Sequence, residues 1–492
     1  MKDISTTQIE ELFKNSYESF LCYSRISNTE KSKFLEAIIN EIEKIGTSVV
    51  LQAVQETNLS EIRLQAELQR TIKQLHQFAD LVREGSWVEA RIDSALPNRK
   101  PISKPDLRKM MVPLGPVVVF GAGNFPLAYS TAGVDTASAL ASGCSVVVKA
   151  HPAHPKTSDL VAGAIDKAIK RCQMPEFVFQ QIHGASFELG KQLVQHPIAK
   201  AVGFTGSFSG GMAIFSYASQ RHTPIPVFAE MGSLNPIFIL PEALKNKIEK
   251  VVEILVASIT QSSGQFCTKP GLILGVENSD FTKFVSILIE RIKQVKPEAM
   301  LHQSIADKYF LARKKALAQT KVRTETELSQ KESEMTGVPT IASVKALDFV
   351  NNPILLEEVF GPYSLIVLAK DETELLSVLN NISGQLTVSI FANESDLGKY
   401  KSFVQCAAEK AGRVIFNGVP TGVEVSPAMN HGGPFPATTD SRFTSVGTDA
   451  IKRFVRPVTF QNFPDSILPD ELKDDNPLKV SRFVDNKWVI KD

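Results

Sequence analysis

The sequence is poor in cysteine, with only five in 492 residues and none spaced as a CxxC pair. Disulfide frameworks and zinc fingers need paired or closely spaced cysteines, so neither is predicted and no metal is expected. Free cysteines are usually small buried hydrophobic residues, and each is interpreted so unless its neighbours supply chemistry. The five are Cys22, Cys144, Cys172, Cys267 and Cys406.

The sequence also lacks an excess of charge of either sign, because its 54 Lys and Arg residues nearly balance its 53 Asp and Glu residues and leave a net charge of +1. This balance gives no electrostatic reason to expect a nucleic acid or an anionic membrane as partner. No run of about 18 apolar residues occurs, and residues 1–5 lack the apolar core of a secretory signal, so we expect a cytoplasmic protein. The length predicts about two or three domains.

What the sequence does contain is clear periodicity. Residues 6–85 carry apolar side chains at helical spacing and end at Gly85, which predicts a set of packed helices. Residues 87–93 alternate as a strand does, and three prolines interrupt the residues that follow. The segment 86–112 is therefore predicted to be an edge strand or protruding ribbon, serving either a dimer contact or only a surface loop.

From Val112 onward, short apolar strands alternate with helices, a pattern typical of a mostly parallel, doubly wound α/β sheet. The first region predicts strands at 116–120, 145–148, 177–182, 201–204 and 226–229, with helices at 127–142, 156–172, 186–195, 207–221 and 246–262. The second predicts strands at 272–275, 365–368, 387–391 and 414–416, with helices at 280–294, 303–318, 372–380 and 395–408. The polar span 318–336 is expected to be a solvated insertion, and 454–460 a further strand.

Two glycine-containing turns follow predicted strands. The turn 121–126 begins like a dinucleotide fingerprint, but Pro126 stands where the third glycine belongs, which argues against ordinary pyrophosphate binding there. The turn 203–207 opens a helix with Gly210 and Gly211 in its first turn, so backbone N–H groups could meet a phosphate. The alternative is a tight strand-to-helix turn with an N-cap serine.

Six separated motifs then occur in a fixed order along the chain. They are Gly123–Pro126, Val148–Ala150, Gly203–Ser207, Glu230–Gly232, Gly264–Cys267 and Glu357–Pro362. With these motifs the chain resembles the aldehyde dehydrogenase superfamily from about residue 30 to 464. Further stretches resemble the NADP-accepting branch of 2-oxoglutarate semialdehyde (2,5-dioxovalerate) dehydrogenases, namely 124–128, 149–155, 229–233 and 431–438.

The resemblance implies an α/β fold with two doubly wound lobes, a Rossmann-like cofactor domain and a catalytic domain, plus a small oligomerisation ribbon. The expected boundaries are 1–231 for the cofactor domain with its ribbon at 92–112, 232–440 for the catalytic domain, and 441–492 for a C-terminal return and oligomerisation segment. Family members exchange strands across a dimer through such a ribbon and tail, so we expect a homodimer or homotetramer.

The resemblance also implies the catalytic residues. Cys267, displayed by the polar turn 262–268, matches the thiol nucleophile, which forms a thiohemiacetal and then a hydrolysable thioester. Asn124 matches the side-chain donor that, with the backbone N–H of Cys267, stabilises the oxyanion. Glu230 matches the general base, and its apolar neighbours predict a pKa raised toward neutrality.

For the cofactor, Lys149 and Glu358 match the side chains that hold the two riboses, Phe360 packs near the nicotinamide, and Gly206 with Ser207 matches the pyrophosphate site. Pro152 stands where NAD-preferring members often carry a glutamate on the ribose 2′-hydroxyl. Loss of that carboxylate removes repulsion toward a 2′-phosphate, so NADP is the expected cofactor, with NAD possible. His151 and His154 could assist as cationic neighbours or be plain loop residues.

The predicted activity is NAD(P)-dependent oxidation of a small-molecule aldehyde to an acid, with 2-oxoglutarate semialdehyde the first choice and a long-chain fatty aldehyde the alternative. Arg442 and the run 438–441 are candidates for contact with the substrate carboxylate or simply surface loop. A cysteine hydrolase would need a histidine base, and no histidine motif is apparent. A non-catalytic nucleotide-binding member of the fold is disfavoured because Cys267, Glu230 and Asn124 occur together.

Overall fold

The computed structural model describes residues 3–326, 335–394, 398 and 400–490. Its α-helices are α1 Thr6–Tyr23, α2 Asn28–Lys44, α3 Gly46–Thr57, α4 Glu61–Glu84, α5 Val134–Ser142, α6 Pro155–Arg171, α7 Phe187–Gln195, α8 Phe208–Ser219, α9 Ile248–Thr260, α10 Ser279–Lys293, α11 Gln303–Leu317, α12 Ala346–Val350, α13 Glu372–Asn381 and α14 Lys401–Lys410.

Its strands are β1 Arg91–Asp93, β2 Leu107–Pro113, β3 Val117–Phe120, β4 Val146–Lys149, β5 Phe179–Ile182, β6 Ala201–Thr205, β7 Val227–Glu230, β8 Ile237–Ile239, β9 Leu272–Val276, β10 Glu298–Ala299, β11 Arg323–Thr324, β12 Thr336–Gly337, β13 Thr340–Lys345, β14 Tyr363–Ala369, β15 Gln385–Phe391, β16 Ala411–Phe416, β17 Val455–Gln461, β18 Arg482–Val484 and β19 Lys487–Val489.

The helical N-terminal region is confirmed as four helices, α1 to α4. Ser5 and Ser27 begin the first two with capping boxes, in which the serine hydroxyl accepts a backbone N–H that the helix itself leaves free. Gly85 ends α4 in a left-handed conformation, with φ of 85°. Helix α4 packs on α2 and α5, and this places one of its faces beside the loop that follows β3.

The first large sheet has the strand order β5-β4-β3-β6-β7, and all its pairs are parallel. The valines of β3 and β4 are completely or almost completely buried, as expected where helices cover both faces of a parallel sheet. The five strands predicted for this region are confirmed within one or two residues. Their carboxyl ends lie along one edge, which is where doubly wound sheets bind ligands.

The helix predicted at 127–142 begins only at Val134. The preceding residues are held in a turn because the Glu67 carboxylate accepts the backbone N–H groups of Leu127 and Ala128, at 2.8 and 3.0 Å. This tertiary contact overrides local helix preference and keeps Asn124 on a loop.

The second large sheet has the order β11-β13-β14-β9-β8-β15-β16, and its pairs are parallel except where β11 pairs antiparallel with β13.

Strands β8 and β13 of this sheet were missing from the sequence prediction. Strand β8 has only three residues after a proline, and β13 follows the polar span 318–336, so neither showed a clear pattern. Within that span, β11 is exposed to solvent as expected and pairs with β13 at the edge of the sheet, whereas β12 pairs with β10 and its Gly337 is buried. Residues 327–334 of the predicted insertion lie outside the described part. The helix predicted from 395 begins at Lys401, and most of its predicted first turn is likewise outside.

A third sheet, with the order β17-β2-β1-β18-β19, joins the segment 91–113 to the C-terminal residues 455–489. The predicted strand at 454–460 is confirmed as β17, which pairs antiparallel with β2 of the same chain. The alternating run 87–93 is a strand only at 91–93, because residues 86–88 form a short 3-10 helix. In the described residues, no helix has the length and apolar character needed to cross a membrane.

Candidate active site

Cys267 lies just after α9, on a turn with unusual backbone geometry. Ser262, Ser263 and Gly264 all have positive φ, of 50°, 55° and 62°. A Cβ on Gly264 would lie 2.6 Å from the carbonyl carbon of Gly361, so this position also needs glycine for space. The turn reverses the chain and presents the half-buried thiol to the end of the first sheet.

Asn235 fixes the backbone on the other side of the thiol. Its buried amide Nδ2 donates to the carbonyl oxygens of Cys267 and Lys269, at 2.8 and 3.1 Å. Its Oδ1 accepts from Ser233 and Thr387 hydroxyls. Sequence reasoning missed this residue because its partners are distant in the chain, with Thr387 lying 152 residues after it.

Glu230 ends β7 and is buried, with 3% of its surface exposed. The hydroxyl of Ser445 donates to its Oε2, and His431 Nε2 lies 3.1 Å from its Oε1. The same His431 Nε2 is 3.4 Å from the Sγ of Cys267. The three residues therefore form a buried chain of thiol, imidazole and carboxylate.

His431 is the functional residue that sequence reasoning overlooked. It stands in the stretch 431–438, which carried part of the resemblance, but it received no role there, and the structure places its imidazole against both Cys267 and Glu230. The loop is held by backbone contacts, because the His431 N–H donates to the Thr444 hydroxyl at 2.9 Å and its carbonyl accepts from the Ser445 N–H at 2.8 Å. His431 is 164 residues from Cys267, so only the fold joins them.

The predicted rise in the pKa of Glu230 is also wrong. Burial pushes that pKa up, but the neighbouring His431 and hydrogen bonds from His431, Ser445 and Cys267 outweigh burial and lower it. Glu230 is therefore ionised at neutral pH. The pKa of Cys267 is raised well above the ordinary value by burial and then by the negative charge of Glu230, so the resting thiol keeps its proton.

The donor atoms of Glu230, Cys267 and His431 all lie within 4.8 Å of one another, a spacing that a metal ion could also bridge. The hydrogen bonds among them already satisfy the three groups, and the expectation of no metal stays a prediction.

Asn124 lies beside the thiol turn, as predicted. Its Nδ2 donates to the carbonyl oxygen of Gln265 at 3.2 Å, two residues before Cys267. Its own carbonyl accepts from Nη2 of Arg63 at 2.6 Å. The amide is therefore held at the same turn that displays the nucleophile.

Three of the predicted cofactor residues, Lys149, Gly206 and Ser207, lie at the carboxyl edge of the first sheet. Lys149 ends β4, and burial lowers the pKa of its amine. Ser207 is the N-cap of α8, accepting from Gly210 N at 3.3 Å, and Gly206 and Ser207 are exposed to solvent. A Cβ on Gly206 would meet the Phe204 ring at 2.7 Å, so the bare backbone at this helix start is required by the fold.

Pro152 is exposed on the loop after β4, and two histidines beside it are enclosed. Burial lowers the pKa of both His151 and His154, and their rings stack 5.5 Å apart. His154 is fully buried and its Nε2 pairs with the carbonyl of Ala122 at 2.9 Å. They are neutral near pH 7, so the suggestion that they act as cationic neighbours is wrong.

Glu358 and Phe360 are half-buried in the second lobe, and the Glu358 carboxylate lies against Gly232. A Cβ on Gly232 would approach Glu358 Oε2 to 2.4 Å. Burial raises the pKa of Glu358 while the adjacent Lys269 opposes the rise, and the charge of Glu358 contributes to the raised pKa of Cys267. Glu358 is therefore placed within electrostatic reach of the thiol.

Arg442 does not reach this site. Its side chain is 79% exposed, pairs with Asp440 and covers the Phe443 ring. The hydroxyls of Thr438 and Thr439 donate to backbone carbonyls of Gly433 and Val227. This run supports β7 rather than offering free donors to a substrate.

Comparisons with known proteins agree with this geometry. The model of the aldehyde dehydrogenase family matches residues 1–435. A relative from Acinetobacter baylyi named alpha-ketoglutaric semialdehyde dehydrogenase is 47% identical over 478 residues, covering 97% of this chain and 90% of the relative. A second relative, alpha-ketoglutaric semialdehyde dehydrogenase 2 of Azospirillum brasilense, is 44% identical over 97% of this chain and 91% of its own length.

Solved structures share the fold at low sequence identity. Glyceraldehyde-3-phosphate dehydrogenase from Methanocaldococcus jannaschii, complexed with NADP, superposes with a TM-score of 0.79 at 20% identity, covering 94% of this chain and 95% of its own. A betaine aldehyde dehydrogenase variant from Staphylococcus aureus, in complex with NAD+, gives 0.80 at 20% identity over 94% and 91%.

Proposed function

Since the chain belongs to the aldehyde dehydrogenase family and oxidises an aldehyde to an acid, we propose that its substrate is 2-oxoglutarate semialdehyde and its preferred cofactor is NADP. The near full-length identity to two relatives named for this semialdehyde supports the substrate. The observation that carries the chemistry is the chain of Cys267, His431 and Glu230 beside Asn124.

The first step is attack of Cys267 Sγ on the aldehyde carbon. The thiol must lose its proton, and the ionised carboxylate of Glu230, which accepts a hydrogen bond from that thiol, is placed to receive it. His431 Nε2 donates to Oε1 of Glu230 at 3.1 Å and so holds this carboxylate in its ionised form beside the thiol.

The oxyanion of the thiohemiacetal needs donors that are already in place. The Asn124 amide lies at the thiol turn and is proposed to turn from Gln265 to this oxygen, together with the Cys267 N–H. Glu230, whose lowered pKa favours the ionised form near pH 7, releases the thiol proton to solvent, and after oxidation to the thioester it is proposed to accept a proton from the attacking water.

The residues at the carboxyl edge fit a dinucleotide. The exposed N-terminus of α8 at Ser207 suits a pyrophosphate, and Gly206 before it has no side chain to obstruct one, although its N–H donates to the Glu230 carbonyl at 3.0 Å. Lys149 and Glu358 are proposed to hold the two riboses, with Phe360 packing near the nicotinamide. The chemistry that bound NADP supplies is acceptance of the hydride from the thiohemiacetal.

Pro152 supports a preference for NADP, because this residue brings no carboxylate to the loop after β4 that could repel a 2′-phosphate. Initial rates at 340 nm should give a higher kcat/KM for NADP than for NAD. Wild-type enzyme with the opposite preference by a wide margin would refute this part of the proposal, and Pro152→Glu should shift the preference toward NAD.

The substrate is tested with purified enzyme, NADP and a panel of aldehydes followed at 340 nm. We expect 2-oxoglutarate semialdehyde to give the highest kcat/KM, and Cys267→Ala to abolish the aldehyde-dependent signal. A higher kcat/KM for a long-chain aldehyde would favour the fatty aldehyde alternative, and an unaffected Cys267→Ala would refute the thiol mechanism.

We further propose that the chain forms a homodimer or homotetramer through the sheet of β17, β2, β1, β18 and β19. The domain boundaries at residues 231 and 440 and the cytoplasmic location stay predictions. Size-exclusion chromatography with light scattering measures the assembly, and a monomer at micromolar concentration would contradict it.

A further inference from the structure

Helix α4 carries two arginines that reach the vicinity of the thiol. Arg63 and Arg70 are seven residues apart, which is two turns and therefore the same helix face. The Arg63 guanidinium lies between two phenyl rings, 5.1 Å from Phe125 and 4.5 Å from Phe266, the residue before Cys267. It is also joined to the Asn124 carbonyl at 2.6 Å.

Arg70 contacts a tyrosine that lies beside His431. Its Nη2 lies 3.3 Å from the Tyr129 hydroxyl, its Nη1 donates to the Val423 carbonyl at 3.1 Å, and the Tyr129 ring lies 6.5 Å from that of His431. Arg413 adds a third guanidinium, which donates to the Pro420 carbonyl and lies within electrostatic reach of Cys267.

These guanidinium groups are half-buried and lack a direct ionic partner. In the described part of the chain, none of the three forms an ion pair, and Nε of each is buried without a hydrogen-bond partner, as is Nη1 of Arg63. Their hydrogen bonds to oxygen go to neutral carbonyl and hydroxyl groups. Glu67 lies within electrostatic reach of both helix arginines, but its Oε1 accepts two backbone N–H groups and it forms no hydrogen bond with either guanidinium.

Enclosed cations normally have a carboxylate or another anion beside them, because removing an unpaired charge from water is costly. An arginine fork with spare N–H groups is the shape that binds a carboxylate. In 2-oxoglutarate semialdehyde, four carbon–carbon bonds separate the aldehyde carbon from the carboxylate carbon, a distance of about 5 Å. When the aldehyde carbon is held on Cys267, the group that binds the carboxylate must therefore lie close to the thiol turn.

We propose that Arg63 and Arg70 form the binding site for the substrate's carboxylate, opposite the aldehyde end held at Cys267. This inference rests on the proposed function and identifies the side chains that distinguish an oxo-acid aldehyde from an apolar one. The pyrophosphate candidates lie elsewhere, on the turn between β6 and α8, so the arginines are left for the substrate.

The test compares two aldehydes of five carbons, 2-oxoglutarate semialdehyde and uncharged pentanal. In Arg70→Met we expect kcat/KM for the semialdehyde to fall about 100-fold, mainly through KM, while pentanal is unchanged or improved. Arg70→Lys keeps the charge without the fork and should give an intermediate loss. Arg63→Gln is the second variant and should show the same selective loss, and the exposed Arg442→Met is the matched control with wild-type kinetics.

Glutarate provides a readout independent of turnover. It should protect wild-type Cys267 from iodoacetamide in the absence of nucleotide, and the protection constant should weaken about 100-fold in Arg70→Met while the NADP dissociation constant stays the same. Equal losses for both aldehydes, or an unchanged preference in both arginine variants, would overturn the inference alone. Wild-type enzyme that shows no preference for the semialdehyde over pentanal would instead overturn the proposed substrate.

Discussion

Replacement of His431 by alanine separates the roles of the thiol, the imidazole and the carboxylate. His431 is 2% exposed and its Nε2 contacts both Cys267 Sγ and Glu230 Oε1, at 3.4 and 3.1 Å. Its loss removes a hydrogen-bond donor from Glu230, the carboxylate that accepts a hydrogen bond from the thiol, and leaves Glu230 buried with one fewer partner.

The magnitude follows from these contacts. A positioned general base contributes about 100- to 10,000-fold to rate, and Glu230 stays beside the thiol when one of its donors is lost, so we expect the lower end, a fall in kcat of about 100-fold. His431→Ala also removes a contribution that lowers the pKa of Glu230, so that pKa should rise. Cofactor affinity should not change, because the hydrogen bonds of His431 within the described residues go to Cys267, Glu230, Thr444 and Ser445.

The assay is rapid-mixing measurement of the NADPH burst at 340 nm, which reports the steps up to hydride transfer. His222→Gln is the matched control, because His222 is exposed. We expect the burst rate to fall in His431→Ala and to stay at the wild-type value in the control. A wild-type burst rate in a folded His431→Ala enzyme would refute the role of the imidazole in holding Glu230 as the base for the thiol.

Three further perturbations follow from the same site. The pKa of Cys267 is raised by burial and by the charge of Glu230, so Glu230→Gln should lower that pKa. The pH midpoint of iodoacetamide labelling should therefore move downward, even though turnover is lost. An upward shift of the midpoint would contradict this prediction. Asn124→Ala removes the side-chain oxyanion donor and should reduce kcat about 100- to 1,000-fold with little change in labelling rate, whereas equal loss of labelling would indicate a displaced thiol turn. Gly264→Ala places a methyl group 2.6 Å from the Gly361 backbone, at a residue whose φ is 62°. This variant should destabilise the fold by at least about 1 to 2 kcal/mol and lower the urea midpoint of unfolding. Gly163→Ala is the control, because no atom lies within 4 Å of a Cβ at that position.

Much of the first lobe was readable from local patterns. The valine-rich strands β3 and β4, the helix capped by Ser207 and the left-handed Gly85 all follow from periodicity, capping and backbone preference, which act over a few residues. Strands β8 and β13 escaped because a three-residue run and a run after a polar span carry too little periodicity.

The sequence by itself determined the alternation of strands and helices and the motifs that place Cys267, Asn124 and Glu230 at turns and strand ends. The tertiary structure alone decided which side chains surround them. His431 is 164 residues from Cys267, and Arg63 is 61 residues from Asn124, so no local pattern links these pairs. The sign of the Glu230 pKa shift depended on the same contacts, because burial and hydrogen bonds from distant residues oppose each other and only their geometry shows which prevails.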